Sequence, residues 1–414
     1  MLRRTLALVL ALTLALAGAP THADSATIEC RVQFLRELGW RVGEHDGAVA
    51  SIDAGLPCER VHLGAALRGG DLVASLPHEP VARDAAATTL MAHPATQCAY
   101  RLRYAAATRA AIDRLVGNPR FRFTGLQTRW ISFGLAGARA QGWKPVASFG
   151  RRYVPHGSNT HAINAFFHGQ VRGECGLGRQ VAQLATLAEL FGPDGYDTAF
   201  TPEELSIGTF VALENSASVL RGSGAGRFFA DGDASESAAM GRHALVGAPG
   251  FVVHVLERET LDDPASQALN FVVYDVDDAA TAALRTHGGF ARYNRLNREL
   301  WSLSRDVDPR DARGFERLLG RREVVLASRL SDTERATLAR MSAILDDPFY
   351  AGFLVYVHHH GARPVGWHLA RLLDRNPRTP YRIELALHNR DTEIFERYAK
   401  FRVGECLAAA RVSP

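Results

Sequence analysis

The strongest periodic pattern in the chain is helical and begins just after Cys175. Apolar residues repeat at steps of three and four over 177–191, at Leu177, Val181, Leu184, Leu187, Leu190 and Phe191. This spacing places them on one face of an α-helix, so we predict a long amphipathic helix that buries this face in a core. Gly192 and Pro193 are expected to end it, because glycine accepts the positive φ of a C-terminal cap and proline cannot continue the helix.

Two β-strands are predicted further along by runs of β-branched and aromatic residues. The runs are GFVVHVLER at 250–258 and ALNFVVYDV at 268–276, with the turn-forming stretch ETLDDPASQ between them. Short runs of this kind on either side of a turn indicate an antiparallel pair.

Helices are also predicted towards both ends of the chain. Residues 31–47 indicate a short helix and a turn, YAAATRAAIDRLVG at 104–117 a helix that stops at Gly117, and LQTRWISFGLAGARAQGW at 126–143 a further helix. Ser331 and Glu334 have the spacing of a capping box. The region 346–414 is predicted to be mostly helical.

The N-terminus has the pattern of a secretory signal. Arg3 and Arg4 precede the apolar run TLALVLALTLALAGA at 5–19, and the small residue Ala23 lies at the expected cleavage site. The run has about 15 residues and is shorter than the roughly 20 that span a bilayer. We therefore expect a cleaved signal, an exported protein in the periplasm or outside the cell, and no membrane attachment after cleavage.

Length and charge narrow the possible partners. The mature chain of about 390 residues is longer than one core usually serves, so two or three domains are expected. The formal net charge is only +4 and the sequence contains no basic stripe, so nucleic acid is not an expected partner. The histidine-rich stretch VHHHGARPVGWH at 357–368 is interpreted as a polar helix end, because adjacent side chains on a helix splay apart instead of converging on a metal. No metal and no cofactor are expected.

Cysteine usage singles out one residue. Five cysteines follow the predicted signal: Cys30, Cys58, Cys98, Cys175 and Cys406. In an oxidising compartment cysteines tend to pair, and an odd number leaves one thiol over. Cys406 is expected to bond one of the three N-terminal cysteines, and Cys175 is the expected free thiol.

Cys175 lies where a nucleophile would be favoured. The N–H groups and the dipole at a helix N-terminus stabilise a thiolate. Glycines on both sides of Cys175 leave room for a substrate to approach the backbone: Gly173, Gly176 and Gly178.

Four further residues are candidate partners of Cys175. His254 lies in the first predicted strand and Asn270 near the start of the second, an order that resembles the Cys-His-Asn arrangement of papain-like enzymes. His287, in THGGF, is the alternative base. Gln170 is a candidate side-chain donor to an oxyanion, alongside the backbone N–H of Cys175.

The stretch GECGLGRQVAQLATLAELFGPDGYDTAFTPEELSIGTF at 173–210 resembles the nucleophile region of the bacterial spore-coat-type transglutaminases. These are protein-glutamine γ-glutamyltransferases with a compact fold related to papain and to the NlpC/P60 enzymes. LVGAPGFVVHV, ALNFVVYD and THGGF resemble later segments of that family. The resemblance implies Cys175 as nucleophile and His287 as its partner. It departs at Leu269, where the family has its catalytic glutamate, and only Asn270 beside it is preserved.

Pattern and resemblance together predict an α+β fold. A papain-like core is expected to pack the nucleophile helix on an antiparallel sheet, with additional mainly helical terminal regions. The expected domains are the signal at 1–23, a region of mixed structure at 24–145, the papain-like or transglutaminase-like core at 146–300, and a mainly helical region at 301–414.

The resemblance implies an exported acyltransferase that forms a Cys thioester from a glutamine carboxamide and passes the acyl group to an amine. Its expected partner is a protein or peptide that carries glutamine or another amide. Two alternatives remain open. One is a papain-like or NlpC/P60-like cysteine hydrolase, a peptidase or amidase with contact to the cell wall, and the other is a non-catalytic exported protein that retains the fold.

Overall fold

A computed structural model describes most of the chain outside the predicted signal. The described residues are 24–43, 49–53, 67–68, 71–123, 141–146, 152–208, 220, 228–229, 245–254, 268–293, 295–296, 299, 303, 331–358, 367–368, 381–386 and 390–412. They combine helices with predominantly antiparallel sheets, which confirms the α+β class. They divide into two compact units, the first containing the described residues of 24–96 and 402–412 and the second those of 97–401.

The first unit is built from helices and a four-stranded antiparallel sheet. Helix α1 (Ser25–Glu37) begins at Asp24, whose carboxylate accepts a hydrogen bond from the Thr27 N–H. Gly39, with φ 92°, turns the chain into the sheet. The strands lie in the order β1 (Arg41–Val42), β2 (Val49–Asp53), β4 (Asp71–Ser75) and β3 (Leu67–Arg68), and helix α2 (Pro80–Met91) packs against α1.

In the second unit, several short elements precede the Cys175 helix. Helix α3 (Pro94–Val116) contains the helix predicted at 104–117. Strand β5 (Phe121–Phe123) pairs in parallel with β8 (Val171–Gly173), and β6 (Trp143–Val146) pairs with β7 (Arg152–Pro155). Helix α4 (Asn159–His168) lies between β7 and β8.

The helix predicted at 126–143 is wrong at its end, because Trp143 belongs to β6. Its indole N–H donates to the Ala162 carbonyl and its ring packs edge-on against Phe166, so contacts with α4 determine its conformation. The preceding residues 124–140 lie outside the described part of the chain.

The predicted amphipathic helix is α5 (Cys175–Ala199). It packs against α4 and against the main sheet. Gly192, with φ 71°, breaks the helical path as expected. Pro193 does not end the element but opens a second helical segment, a position that proline favours because its missing N–H is not needed there.

The main sheet has six antiparallel strands. Their order is β13 (Trp367–His368), β12 (Phe353–Tyr356), β11 (Ala268–Val276), β10 (Pro249–His254), β14 (Tyr381–Ala386) and β9 (Phe228–Phe229). The predicted pair is confirmed as β10 and β11, with Phe251 opposite Asn270.

The C-terminal region contains strands as well as the predicted helices. Its described helices are α7 (Asp332–Leu345), α8 (Pro348–Gly352) and α9 (Phe395–Val412), and α7 has the predicted capping box. Three strands of the main sheet, β12, β13 and β14, also come from residues expected to be mostly helical. The polar helix end predicted at 357–368 is wrong, since Val357 and His358 follow β12 as buried, non-helical residues and Trp367–His368 forms β13.

The main sheet separates the site from a hydrophobic core. Alternate residues of a strand point to opposite faces. Phe271 and Val273 of β11 join a cluster that includes residues from α7, α8 and helix α6 (Asp278–Thr286). Asn270 belongs to the opposite face of β11, where α5 packs.

Candidate functional site

Cys175 is the first residue of α5 and is the free thiol among the described cysteines. Cys30 and Cys406 are bonded to each other, which confirms the expected link between Cys406 and an N-terminal cysteine. Cys98 is also disulfide-bonded, whereas Cys58 lies outside the described residues. The prediction that Cys175 is left free is confirmed.

Asn270 is the predicted partner that reaches the cysteine. Its side-chain Nδ2 donates to Cys175 Sγ at 3.7 Å. The contact follows from the packing of α5 on β11, which brings the start of the helix to the start of the strand. The structure thus joins two of the residues singled out from the sequence.

Glu174, which the sequence analysis did not single out, caps α5. Its carboxylate accepts the N–H groups of Gly176 and Leu177 at 2.5 and 2.7 Å. Glycine at 176 leaves space for both side chains, because a Cβ there would lie 2.9 Å from Glu174 Oε1 and 3.3 Å from Asn270 Nδ2. A larger residue would require the carboxylate or the amide to shift away.

Burial controls the ionisation of this pair. Burial raises the pKa of the Glu174 carboxyl, and the hydrogen bonds from Gly176, Leu177 and the Cys175 thiol oppose that rise. Burial, followed by the negative charge of Glu174, raises the pKa of Cys175 to about 12, and contacts with Asn270 offset this only in part.

The expected stabilisation of a thiolate by the helix N-terminus is therefore not realised in this structure. The carboxylate of Glu174 already occupies the N–H groups that would have faced the sulfur. Cys175 is a neutral thiol that donates to a neighbouring carboxylate.

Arg179 lies one turn further along α5 and is fully buried. Burial lowers its pKa to about 10, and the charge of Glu174 counteracts the change. A buried arginine and a buried carboxylate stabilise each other's charged forms, because an unpaired charge in the interior is costly. The charges of Glu174 and Arg179 thus act on each other, each favouring the charged form of the other.

His358 is the described histidine that packs against the first turns of α5. A Cβ at Gly178 would lie only 2.0 Å from the Cβ of His358, so the two backbones are in close contact. The imidazole is stacked on Phe121 and buried, and its Nδ1 lies 3.4 Å from the Tyr356 hydroxyl. Burial lowers the pKa of His358 to about 4, and the backbone of Arg122 opposes this weakly.

The other predicted site residues either lie away from Cys175 or have side chains outside the described part of the chain. Gln170 is exposed in the link between α4 and β8, and His287 is an exposed C-cap of α6 whose ring is near Tyr293. Within the described part of the chain, neither makes a hydrogen bond to Cys175. His254 ends β10 opposite Tyr381, and its side chain lies outside the described residues. Leu269 pairs with Val252 in the sheet.

Sequence reasoning missed Glu174 and His358, and the two differ in how far the local sequence indicated their roles. Glu174 had a local signal, a carboxylate immediately before a predicted helix. His358 follows the run FLVYV at 353–357, which is a local strand signal. Its place beside α5 was not predictable, because that place depends on strand pairing far along the chain.

Searches of known protein families, curated sequences and solved structures find no match to this chain. In the described residues, no group of three histidine, cysteine or acidic side chains is placed to hold a metal ion. No described helix is long and apolar enough to cross a membrane. Chemically, the site is a thiol in contact with a carboxylate proton acceptor and an amide donor.

Proposed function

We propose that this protein is a cysteine-dependent acyltransferase that acts on glutamine carboxamides through a thioester on Cys175. The observation that carries the proposal is the contact of the Asn270 amide with Cys175 Sγ, next to the buried Glu174 carboxylate. A thiol in contact with both a donor and a proton acceptor suits nucleophilic attack on a carbonyl carbon.

Glu174 is the proton carrier in the proposed reaction. The Cys175 proton moves to Glu174 as sulfur attacks the carboxamide carbon, and a tetrahedral oxyanion forms. The C–N bond then breaks, the proton leaves with ammonia, and a thioester remains. An incoming amine attacks the thioester, its proton returns through Glu174 to the departing sulfur, and the new amide is released.

The raised pKa of Glu174 supports this role. A general base works best when its pKa lies near the operating pH. Burial moves the Glu174 pKa in that direction from the low value of an exposed carboxyl. In the resemblance to transglutaminases, Leu269 replaces a catalytic glutamate, and Glu174 supplies a carboxylate from another position.

The setting of the site favours transfer to an amine over hydrolysis. Burial raises the pKa of Cys175 more than any other interaction does, and the residue is only partly exposed. A thioester formed there would be protected from water until an amine enters. The packing of α5 on an antiparallel sheet supports the finer proposal of a papain-like core.

We further propose that the protein is exported. The predicted signal at 1–23 and the Cys30–Cys406 disulfide support an oxidising compartment. The substrate would then be an exported protein or peptide, including peptides of the cell wall.

Replacing Cys175 with Ala should abolish incorporation of a labelled primary amine into a glutamine-bearing protein, because no thioester can form. Fluorescence or mass spectrometry of the acceptor protein measures this. Thr198→Ala, an exposed substitution on the same helix, is the matched control and should retain wild-type activity.

Three outcomes distinguish the alternatives. Ammonia release by wild type without amine incorporation would replace the transferase with the hydrolase. Full activity in Cys175→Ala would exclude both enzymes. Absence of both activities in correctly folded wild type, on glutamine-bearing proteins and on cell-wall peptides, would favour the non-catalytic protein.

A further inference from the structure

The sheet places His358 beside Asn270. Strand β12 pairs with β11 so that Tyr356 is opposite Val272 and Val355 is opposite Val273. The pairing ends at Tyr356, and if the same register continued for two more residues His358 would lie opposite Asn270. Val357 belongs to the hydrophobic cluster on the far face, so alternation puts His358 on the face where α5 packs.

The helix side gives the same position independently. The Cβ of His358 occupies the space that a side chain at Gly178 would need. Residue 178 follows Cys175 by three positions, and side chains with this spacing share one helix face, with Cβ atoms about 5–6 Å apart. His358 therefore packs at Gly178 on the face of α5 that also carries Cys175.

The aromatic contacts locate the ring on the side of the first turn of α5. The imidazole stacks on Phe121 at 3.9 Å and lies 6.3 Å from Phe123. Phe123 is paired with Gly173, and the next residues in the chain are Glu174 and Cys175. The ring is thus enclosed by β5, β12 and the beginning of α5.

The protonation of the ring follows from its surroundings. Burial raises the pKa of the Tyr356 phenol, which stays protonated and can donate to Nδ1 of His358. A neutral imidazole that accepts at Nδ1 carries its proton on Nε2. That Nε2 is buried and makes no hydrogen bond of ordinary geometry in the described part of the chain, although the Arg122 backbone lies close enough to the ring to raise its pKa.

The N–H groups of Gly176 and Leu177 are bonded to Glu174 and do not serve the oxyanion, which leaves room for a further donor beside the backbone N–H of Cys175. An unpaired buried donor costs free energy unless a ligand satisfies it. We propose that His358 is a catalytic residue that stays neutral and donates a hydrogen bond from Nε2 to the carbonyl oxygen of the acyl group attacked by Cys175. This inference rests on the proposed function and deepens it.

A matched pair of substitutions tests the proposal. His358→Leu removes the donor, whereas His358→Gln keeps an N–H donor on a side chain of similar length. Acylation of Cys175 by p-nitrophenyl acetate and by a blocked glutamine dipeptide is followed by mass spectrometry. Alkylation by iodoacetamide, which forms no oxyanion, is measured in parallel. His156→Leu, at an exposed histidine, is the control.

We expect His358→Leu to slow acylation about 10²- to 10³-fold, the usual effect of losing one oxyanion donor. Alkylation should change by less than about threefold, and His358→Gln should keep most of the acylation rate, because its amide still stabilises the oxyanion. Tyr356→Phe keeps His358 but removes the hydroxyl that holds the imidazole proton on Nε2, and it should slow acylation several-fold. Because it removes only one oxygen atom, this variant serves as the test if His358→Leu unfolds.

Two results would overturn the inference. One is acylation of folded His358→Leu at the wild-type rate. The other is a His358→Gln protein that acylates as slowly as His358→Leu and has lost the acidic limb of the wild-type pH–rate profile. That result would identify His358 as a general base instead of a hydrogen-bond donor. Wild type that neither reagent acylates would refute the proposed function itself, and the inference with it.

Discussion

Glu174 is an uncommon choice for the N-cap of a helix, where serine, threonine, aspartate and asparagine are preferred. Its longer side chain lets the carboxylate bridge two N–H groups and still lie next to Cys175. The same carboxylate therefore caps the start of α5 and raises the pKa of the thiol. Replacing it separates these two effects.

Glu174→Gln should lower the pKa of Cys175, because it removes the negative charge that disfavours the thiolate while an amide oxygen still caps the helix. The pH dependence of iodoacetamide alkylation measures the shift. Burial remains, so the pKa should stay above its ordinary 9.0. Amine incorporation should fall, since the proton acceptor is lost.

Glu203→Gln, an exposed glutamate of the same unit, is the control and should leave the alkylation profile unchanged. An unchanged Cys175 pKa in Glu174→Gln would contradict the electrostatic role given to this carboxylate.

His358 predicts a stability that depends on pH. Its pKa falls from an ordinary 6.5 to about 4 on folding, so the unfolded chain binds the proton more tightly. The contribution of neutral His358 to the free energy of unfolding is complete above the pKa that the residue has in the unfolded chain. It is lost as the pH falls towards the pKa in the folded protein. Wild type should lose up to about 3 kcal/mol more than His358→Gln between these limits. Denaturant unfolding at several pH values measures this, and parallel curves for the two proteins would argue against a buried neutral imidazole.

The sequence predicted residues whose role depends on their own element and missed one that depends on a distant partner. Cys175 and Asn270 could be placed because each lies at the start of a recognisable helix or strand. His358 could not, because its burial requires β12 to pair with β11 and α5 to offer a glycine at 178. Glu174 was recognisable as a charge at a helix start, but its burial was not.

At the scale of elements, Gly178 sets how closely α5 approaches β12. Gly178→Ala should destabilise the protein by about 1–3 kcal/mol, the usual cost of overpacking, because the new Cβ would meet His358 at 2.0 Å. Displacement of His358 should also slow acylation of Cys175. Thermal unfolding and the acylation assay measure the two effects.

Gly404→Ala in α9 is the matched control, because a Cβ there meets nothing within 4 Å. The same substitution should here stabilise the helix by about 0.5–1 kcal/mol, the difference in helix propensity. Equal effects at both glycines would show that close contact with His358 is not what requires glycine at 178.

The elements themselves were predictable where the pattern is local. Strands β10 and β11 follow each other along the chain and form a pair, and α5 has an apolar face of several turns. Strands β12 and β14 are short runs far along the chain from β10 and β11, and their places in the sheet depend on pairing with β11 and β10. Local periodicity does not contain that information.

At the scale of the whole molecule, the Cys30–Cys406 bond joins residues 376 positions apart within the first unit. Removing a native disulfide typically costs about 2–5 kcal/mol, because the unfolded chain gains freedom. Cys406→Ser should therefore lower the free energy of unfolding by about this amount. Urea unfolding measures it, and Cys30→Ser with Cys406→Ser should cost no more than either alone. Additive losses would mean that the two cysteines stabilise the protein separately.

The same bond constrains how the protein is made. Cys30 is synthesised first, yet its partner follows only after three other cysteines have appeared. If oxidation proceeds as the chain emerges, Cys30 meets Cys58, Cys98 and Cys175 before Cys406 exists. Reaching the native pairing then requires thiol–disulfide exchange, which proceeds by attack of a thiolate on an existing bond. If Cys175 becomes buried early as a neutral thiol, it takes no part in that exchange. The other four cysteines then reach their native disulfides without forming a bond to Cys175.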